Sequence, residues 1–392
     1  MSQRRRSPQT LSRARRRRQN RRYAMVAGGA ILLIVIIIVL VVVFTGRRPD
    51  PQSVPVTAAT ASPSAEASTP QPTLEPTATP QPTADPWEAV RPKADAGWLP
   101  IFASANTEEK VIAITVDDCY QAENLRQIVD KAIECGGKLT IFPIGSNVLR
   151  DPHSEILRYA WENGFELENH TYSHNGLYGC TDEQLAQEVY LQNLALSSIL
   201  GQEYHAHFLR PKGGDARRDQ RMHAYAEQMG YYGIAHWSVS GSGSSARQLV
   251  DSLKPGAIYL FHTTDKDLEK LLGFIPYATA QGYRLVTLNE MFGYPENETS
   301  ALTVPIEQHQ IPPLEKYDVV YVTYKKGSYA YGVLRLQQKL IELGYLTGNA
   351  DGIYGDATVE AVKRYQSEHG LGANGEADAA LQEQILGPAS AL

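Results

Sequence analysis

Val111-Ile112-Ala113-Ile114-Thr115-Val116-Asp117-Asp118 is the stretch on which the fold turns, a β-rich run closed by two adjacent carboxylates. Six more such runs follow, at 139–144, 165–169, 206–210, 232–236, 257–261 and 284–288. Between them lie segments such as 124–134, 154–162 and 182–200, whose apolar residues recur at three and four. That alternation is the pattern of parallel strands joined by crossover helices, and it predicts an α/β unit over 97–293, an incomplete seven-stranded β/α barrel. In such a barrel, side chains that do chemistry gather just past the C-terminal ends of the strands.

The rest of the chain divides by composition. Its 392 residues carry a formal charge of −6, but the first 23 hold ten arginines and no acid, so everything after them is strongly acidic. Nucleic-acid binding needs clustered basic residues on the folded domain, so no nucleic-acid partner is expected. Residues 24–44 are apolar for the length of a bilayer-crossing helix, and the arginines before them place residues 1–23 in the cytoplasm by the positive-inside bias. No convincing cleavage site follows, so the span reads as an uncleaved single-pass anchor, with the catalytic domain extracellular. From 45 to 96 the chain is rich in Pro, Thr, Ala and Ser, an extended stalk unable to bury a core. A second irregular stretch, 294–325, leads to a tail domain at 326–388. There Val333, Leu336, Leu340 and Leu343 form one helical face and Thr358, Ala361, Val362 and Tyr365 another. Cys119, Cys135 and Cys180 imply no disulfide framework, although one pair is open to them.

The polar residues fall at the expected strand ends. Asp117 and Asp118 end the first run, His170 and His174 follow the third, Arg210 closes the fourth, Trp237 follows the fifth and His262 the sixth. Asp118 with His170 and His174 offers the oxygen and nitrogen donors that zinc accepts, and leaves positions open for water. A divalent ion there, zinc by preference, polarises an amide carbonyl and ionises water near neutral pH. Asp117 is then the candidate base, His262 the candidate acid for a departing amine, and Arg210 the group that keeps the base ionised and aligned. Trp237 reads as an apolar wall beside His262.

Thr115-Val116-Asp117-Asp118, His170-Thr171-Tyr172-Ser173-His174, Phe208-Leu209-Arg210-Pro211-Lys212-Gly213-Gly214 and Leu260-Phe261-His262 resemble the first, second, third and fifth motifs of the NodB-homology polysaccharide deacetylases, carbohydrate esterase family four. The resemblance covers about half the chain and implies the same roles for the same residues. It adds the Gly213 main-chain N–H as oxyanion donor. Two departures stand out. The family's Gly-Pro after the first motif is here Cys119-Tyr120, and its Asp after the Trp is missing from Trp237-Ser238-Val239-Ser240, leaving Asp265 or Asp267 as substitutes beside His262.

The tail, with Leu336-Gln337-Gln338-Lys339-Leu340 and Asp351-Gly352-Ile353-Tyr354-Gly355, resembles the three-helix peptidoglycan-binding domain. The two resemblances imply a metal-dependent de-N-acetylase acting on peptidoglycan or a related N-acetylated polysaccharide. Chitin-like polymers, exopolysaccharides and a non-catalytic wall-tethering role are the alternatives.

Overall fold

Strands that are apolar on both faces are stable only when helices cover both sides of the sheet they form. The computed structural model describes residues 85–315 and 319–388, and all seven expected strands form. The longest, β2 (Val111–Asp118), lies between β3 (Thr140–Pro143) and β9 (Ile258–His262), parallel to both. A six-stranded sheet runs β4 (Glu166–Leu167), β3, β2, β9, β8 (Val239–Ser240), with β10 (Arg284–Leu285) paired to the start of β2. A three-stranded parallel sheet runs β1 (Ile101–Phe102), β7 (Gly233–Ala235), β6 (Phe208–Leu209). Isolated bridges, Asn169 to Leu209 and Ser104 to Ala257, join the two sheets into a barrel-like ring. β1 and β8, each two residues long, join these two sheets beyond the seven expected strands.

The crossover helices α1 (Ala122–Glu134), α3 (His153–Glu162), α4 (Asp182–Leu200) and α7 (Asp265–Ala280) match the amphipathic stretches. α1 buries Leu125, Ile128, Val129 and Ala132 on one face against the sheet. α4 starts at a capping box of Thr181 and Gln184 and ends at Gly201, whose φ of 68° closes the helix in the left-handed region. Shorter helices α2 (Gly145–Val148), α5 (Gln220–Gln228), α6 (Ala246–Asp251) and α8 (Leu288–Phe292) complete the unit. All three cysteines are free thiols, and Cys119 is fully buried.

The stretch read as an irregular connection runs along the barrel. β11 (Thr299–Ser300) pairs antiparallel with β5 (Glu203–Tyr204), and Tyr225 and Gln228 of α5 donate to the carbonyls of Pro312 and Pro313. The tail is three helices, α9 (Tyr331–Glu342), α10 (Asp356–Glu368) and α11 (Ala379–Leu386), around Val333, Leu336, Leu340, Val362 and Ile385. Leu343, expected on the buried face of α9, is exposed: the helix stops at Glu342, and Gly344 at φ 79° turns the chain away. Among the described residues no helix is long and apolar enough to cross a membrane, and the span read over 24–44 lies outside them.

Candidate active site

Successive side chains on a strand point to opposite faces, so Asp117 and Asp118 would ordinarily diverge. Here the strand breaks at its last residue. Asp118 takes φ 66° and Cys119 φ 58°, and the left-handed twist turns both carboxylates toward one place. Thr171 at φ 64° and His174 at φ 56° do the same for the loop after β4. Left-handed conformation costs a non-glycine residue roughly 1–2 kcal/mol. Four such residues around one point mark a site whose surroundings over-determine it.

His170 Nε2 and His174 Nε2 lie 3.2 and 3.3 Å from the same oxygen, Asp118 Oδ1. Donors at about 2.0–2.2 Å from a tetrahedral ion stand roughly 3.3–3.5 Å apart, so each histidine stands from the Asp118 oxygen as two ligands of one cation would, and all three atoms lie within 4.8 Å of one another. Asp118 Oδ1 is buried and accepts no hydrogen bond, so it is free to take a cation. The Arg210 carbonyl oxygen lies 2.7 Å from His170 Nδ1 and accepts its proton, so the Nε2 lone pair faces Asp118. Burial, together with the neighbouring His170, takes His174 down to about 4, leaving it neutral. For Asp118 burial acts upward, but the histidines around it, His170 foremost, outweigh burial, and its pKa falls below the ordinary value. One carboxylate and two imidazoles are a donor set suited to zinc or a similar divalent ion.

Asp117 sits beside this set and is held differently. Its Oδ1 accepts from Arg210 Nη1 at 2.6 Å, while Oδ2 lies 3.6 Å from His170 Nε2. Arg210 is fully buried. Its guanidinium also donates to Thr115 Oγ1, the Ala235 carbonyl and the His236 carbonyl, and lies over the Phe142 ring at 4.1 Å. Burial pulls the Arg210 pKa down and Asp117 opposes it; arginine stays charged.

His262, the β9 partner of Asp117, closes the site from the other side, with Nε2 4.0 Å from Asp118 Oδ2. Its Nδ1 donates to Ser242 Oγ at 2.8 Å, and Ser242 donates in turn to Asp267 Oδ2, which also accepts from the His262 main-chain N–H at 3.0 Å. The link to Asp267 raises the His262 pKa, against burial. Burial acts upward on Asp267, but its hydrogen bonds from His262 and Ser242 hold it at about 2. Of the two acids named beside His262, Asp267 is therefore the one in place. Asp265 instead accepts from Asn124 and Gln121. Nothing in the sequence singled out Ser242.

Gly213 and Gly214 lie in the turn after Arg210, both at φ 68°. Space beside Gly213 is open, whereas a Cβ on Gly214 would come within 2.6 Å of the Trp237 ring. Trp237 stacks on His236 at 4.3 Å and borders this turn. Tyr120, in the place of the family's proline, is exposed, and its hydroxyl reaches within 3.5 Å of His174 Nδ1. Cys119 is sealed beneath the site, and burial with Asp118 and Asp117 keeps its thiol protonated.

The polysaccharide deacetylase family profile matches residues 104–234, and that of the peptidoglycan binding domain matches 330–385. A peptidoglycan-N-acetylglucosamine deacetylase of Bacillus cereus is 27% identical over 203 residues, which are 47% of this chain and 90% of that protein. A chitooligosaccharide deacetylase of Rhizobium leguminosarum bv. trifolii is 26% identical over 48% of this chain and 94% of its own length. A peptidoglycan-N-acetylmuramic acid deacetylase of Bacillus subtilis is 23% identical over 48% of this chain and 74% of its own length. With Asp118, His170 and His174 grouped so that they could hold a metal ion, the chain carries a polysaccharide deacetylase domain of the NodB-homology type followed by a peptidoglycan-binding domain.

Proposed function

We propose that the protein hydrolyses the N-acetyl group of amino sugars in peptidoglycan, releasing acetate and leaving a free amine on the glycan. The observation that carries this reading is the Asp118, His170, His174 triangle with a separately held carboxylate, Asp117, and an acid-base histidine, His262, on either side. Zinc held by the triangle supplies Lewis acidity toward the acyl oxygen and toward water.

The side chains divide the proton transfers. Asp117, fixed through Oδ1 by Arg210, presents Oδ2 to take the proton of the attacking water. His262, kept protonated at Nδ1 through Ser242 and Asp267, presents Nε2 to the leaving nitrogen and gives up its proton there. The Gly213 main-chain N–H, in the turn after Arg210 with open space beside its Cα, is the donor for the negative charge that develops on the acyl oxygen. Trp237 walls the sugar pocket on the Gly214 side. The basic segment, the apolar span and the stalk at 1–96 fit a cell-surface enzyme anchored by one membrane helix, with the tail keeping it at the wall polymer.

The full chain, loaded with zinc, is expected to release acetate from purified peptidoglycan, with deacetylated glucosamine or muramic acid units detected by mass spectrometry. No acetate from peptidoglycan or from N-acetylglucosamine oligomers would sink the reading. A second expectation concerns pH. His262 must be protonated to act as an acid, and Asp267 raises its pKa, so activity falls as pH climbs through that raised value. Asp267→Asn removes the anion, and the alkaline limb of the kcat profile is expected to move to lower pH. An unmoved limb would show that Asp267 does not tune the acid.

A further inference from the structure

The loop that carries the second histidine ligand is secured from two directions. Its first half is pinned by the barrel. Asn169 Oδ1 accepts from Thr171 N, Glu188 of α4 accepts from Ser173, and the carbonyls of Thr171 and Tyr172 accept from Gly145 and Ser146 of α2. Its second half, from His174 to Cys180, has no regular structure, and Asn175 and Gly176 are exposed.

That second half meets the tail domain. The Tyr178 ring lies 4.9 Å from the Tyr329 ring, and its hydroxyl fills the space beside Gly352, where a Cβ would lie 1.1 Å from the oxygen. The loop that carries Gly213 meets the same surface. Arg218 lies over the Tyr329 ring at 3.4 Å, and its carbonyl accepts from Tyr331 N at 2.8 Å. Arg221 ties the parts together. Buried in α5, it lies over the Tyr331 ring at 3.8 Å and donates to the Cys180 carbonyl, to Asp182 and to Asp219. Tyr329 is itself fixed in the tail, bridged to Ile353 beside the Asp351–Gly352 turn that Gln337 holds.

We propose that the tail domain is a working part of the catalytic site: docked through Tyr329 and Tyr331 on Tyr178, Arg218 and Arg221, it holds the loops of His174 and Gly213 in their reactive geometry. The physical need is the backbone of His174, at φ 56° at the head of a stretch without regular structure that the barrel anchors further on, at Leu177 and Cys180. Such a conformation persists only when its surroundings enforce it, and the tail adds to that enforcement through its contacts with Tyr178 and Arg218. Tyr329 and Tyr331 are positioning residues; neither touches a reacting atom. This inference rests on the deacetylase reading for its activity readout, while its metal readout stands apart from it.

The test uses the full chain with Tyr329→Ala and Tyr331→Ala, alone and together, and with Tyr329→Phe and Tyr331→Phe as ring-retaining controls. The substrate is a short soluble N-acetylglucosamine oligomer, on which tethering to a wall gives no advantage. Loosening of the loops is expected to lower kcat roughly tenfold to a hundredfold in the double alanine variant, because misplacement by about 1 Å can cost that much. Zinc affinity is expected to fall about tenfold or more, as for groups that orient a ligand. The phenylalanine variants are expected to match the parent in both. If the double alanine variant keeps kcat and zinc affinity within twofold of the parent, the tail is a tether and the proposal is wrong. If the parent releases no acetate, the deacetylase reading fails, and zinc affinity alone decides: unchanged affinity in the double variant overturns the proposal, and weakened affinity restored by phenylalanine upholds it.

Discussion

Asp117→Asn is expected to lower kcat for acetate release by about 10²–10⁴-fold while the chain still binds one zinc. Asparagine keeps an oxygen for Arg210 Nη1, so the side chain stays in place, but it cannot take a proton from water. The three proposed metal donors, Asp118, His170 and His174, are untouched. Metal content measured on the purified variant alongside turnover separates loss of the base from loss of the ion. Turnover close to that of the parent would remove Asp117 from the mechanism. The substitution also leaves Arg210 buried without its counter-charge, so the variant should unfold at lower denaturant, and activity has to be measured where it is fully folded.

Arg210→Met carries the second large effect. Removing one partner of a buried ion pair strands the other, at a cost of about 3–5 kcal/mol, and here Asp117 loses its charge partner while Thr115 and two carbonyls lose a donor. Urea unfolding should show that loss, with kcat falling as the carboxylate is no longer aligned. Arg210→Lys is expected to rescue little, since an ammonium cannot reproduce the planar fork that reaches Asp117, Ala235 and His236 together. The double variant Asp117→Leu with Arg210→Met is expected to recover part of the stability and none of the activity, because no charge is then stranded. Stability equal to the parent in Arg210→Met alone would mean that the pair does not hold the site.

Much of this arrangement was legible in the chain. Strands such as 111–118 announce themselves because parallel strands buried on both faces need β-branched residues at nearly every position. The residues just past them were legible for the same reason, since a polar side chain after such a run has only the barrel mouth to occupy. What escaped was set by geometry that no spacing encodes. Asp265 and Asp267 are two apart on α7 and so point in different directions, and only the docking of that helix sends Asp267 to His262 and Asp265 to Asn124. Ser242 lies in a turn, with nothing in its neighbours to mark it as the link between His262 and Asp267. The convergence of Asp117 and Asp118 depends on left-handed backbone at Asp118 and Cys119, which neither residue type advertises. Tyr178, Arg218 and Arg221 read as ordinary loop and helix residues until the tail domain was seen against them.

Arg210 serves the site at both ends of one residue, its guanidinium gripping Asp117 and its carbonyl gripping His170. Any thermal breathing that pulls β6 outward therefore disturbs the proposed proton acceptor and a proposed metal donor in the same instant. Inactivation by heat should accordingly register as a single event, with ion release and loss of turnover following one time course.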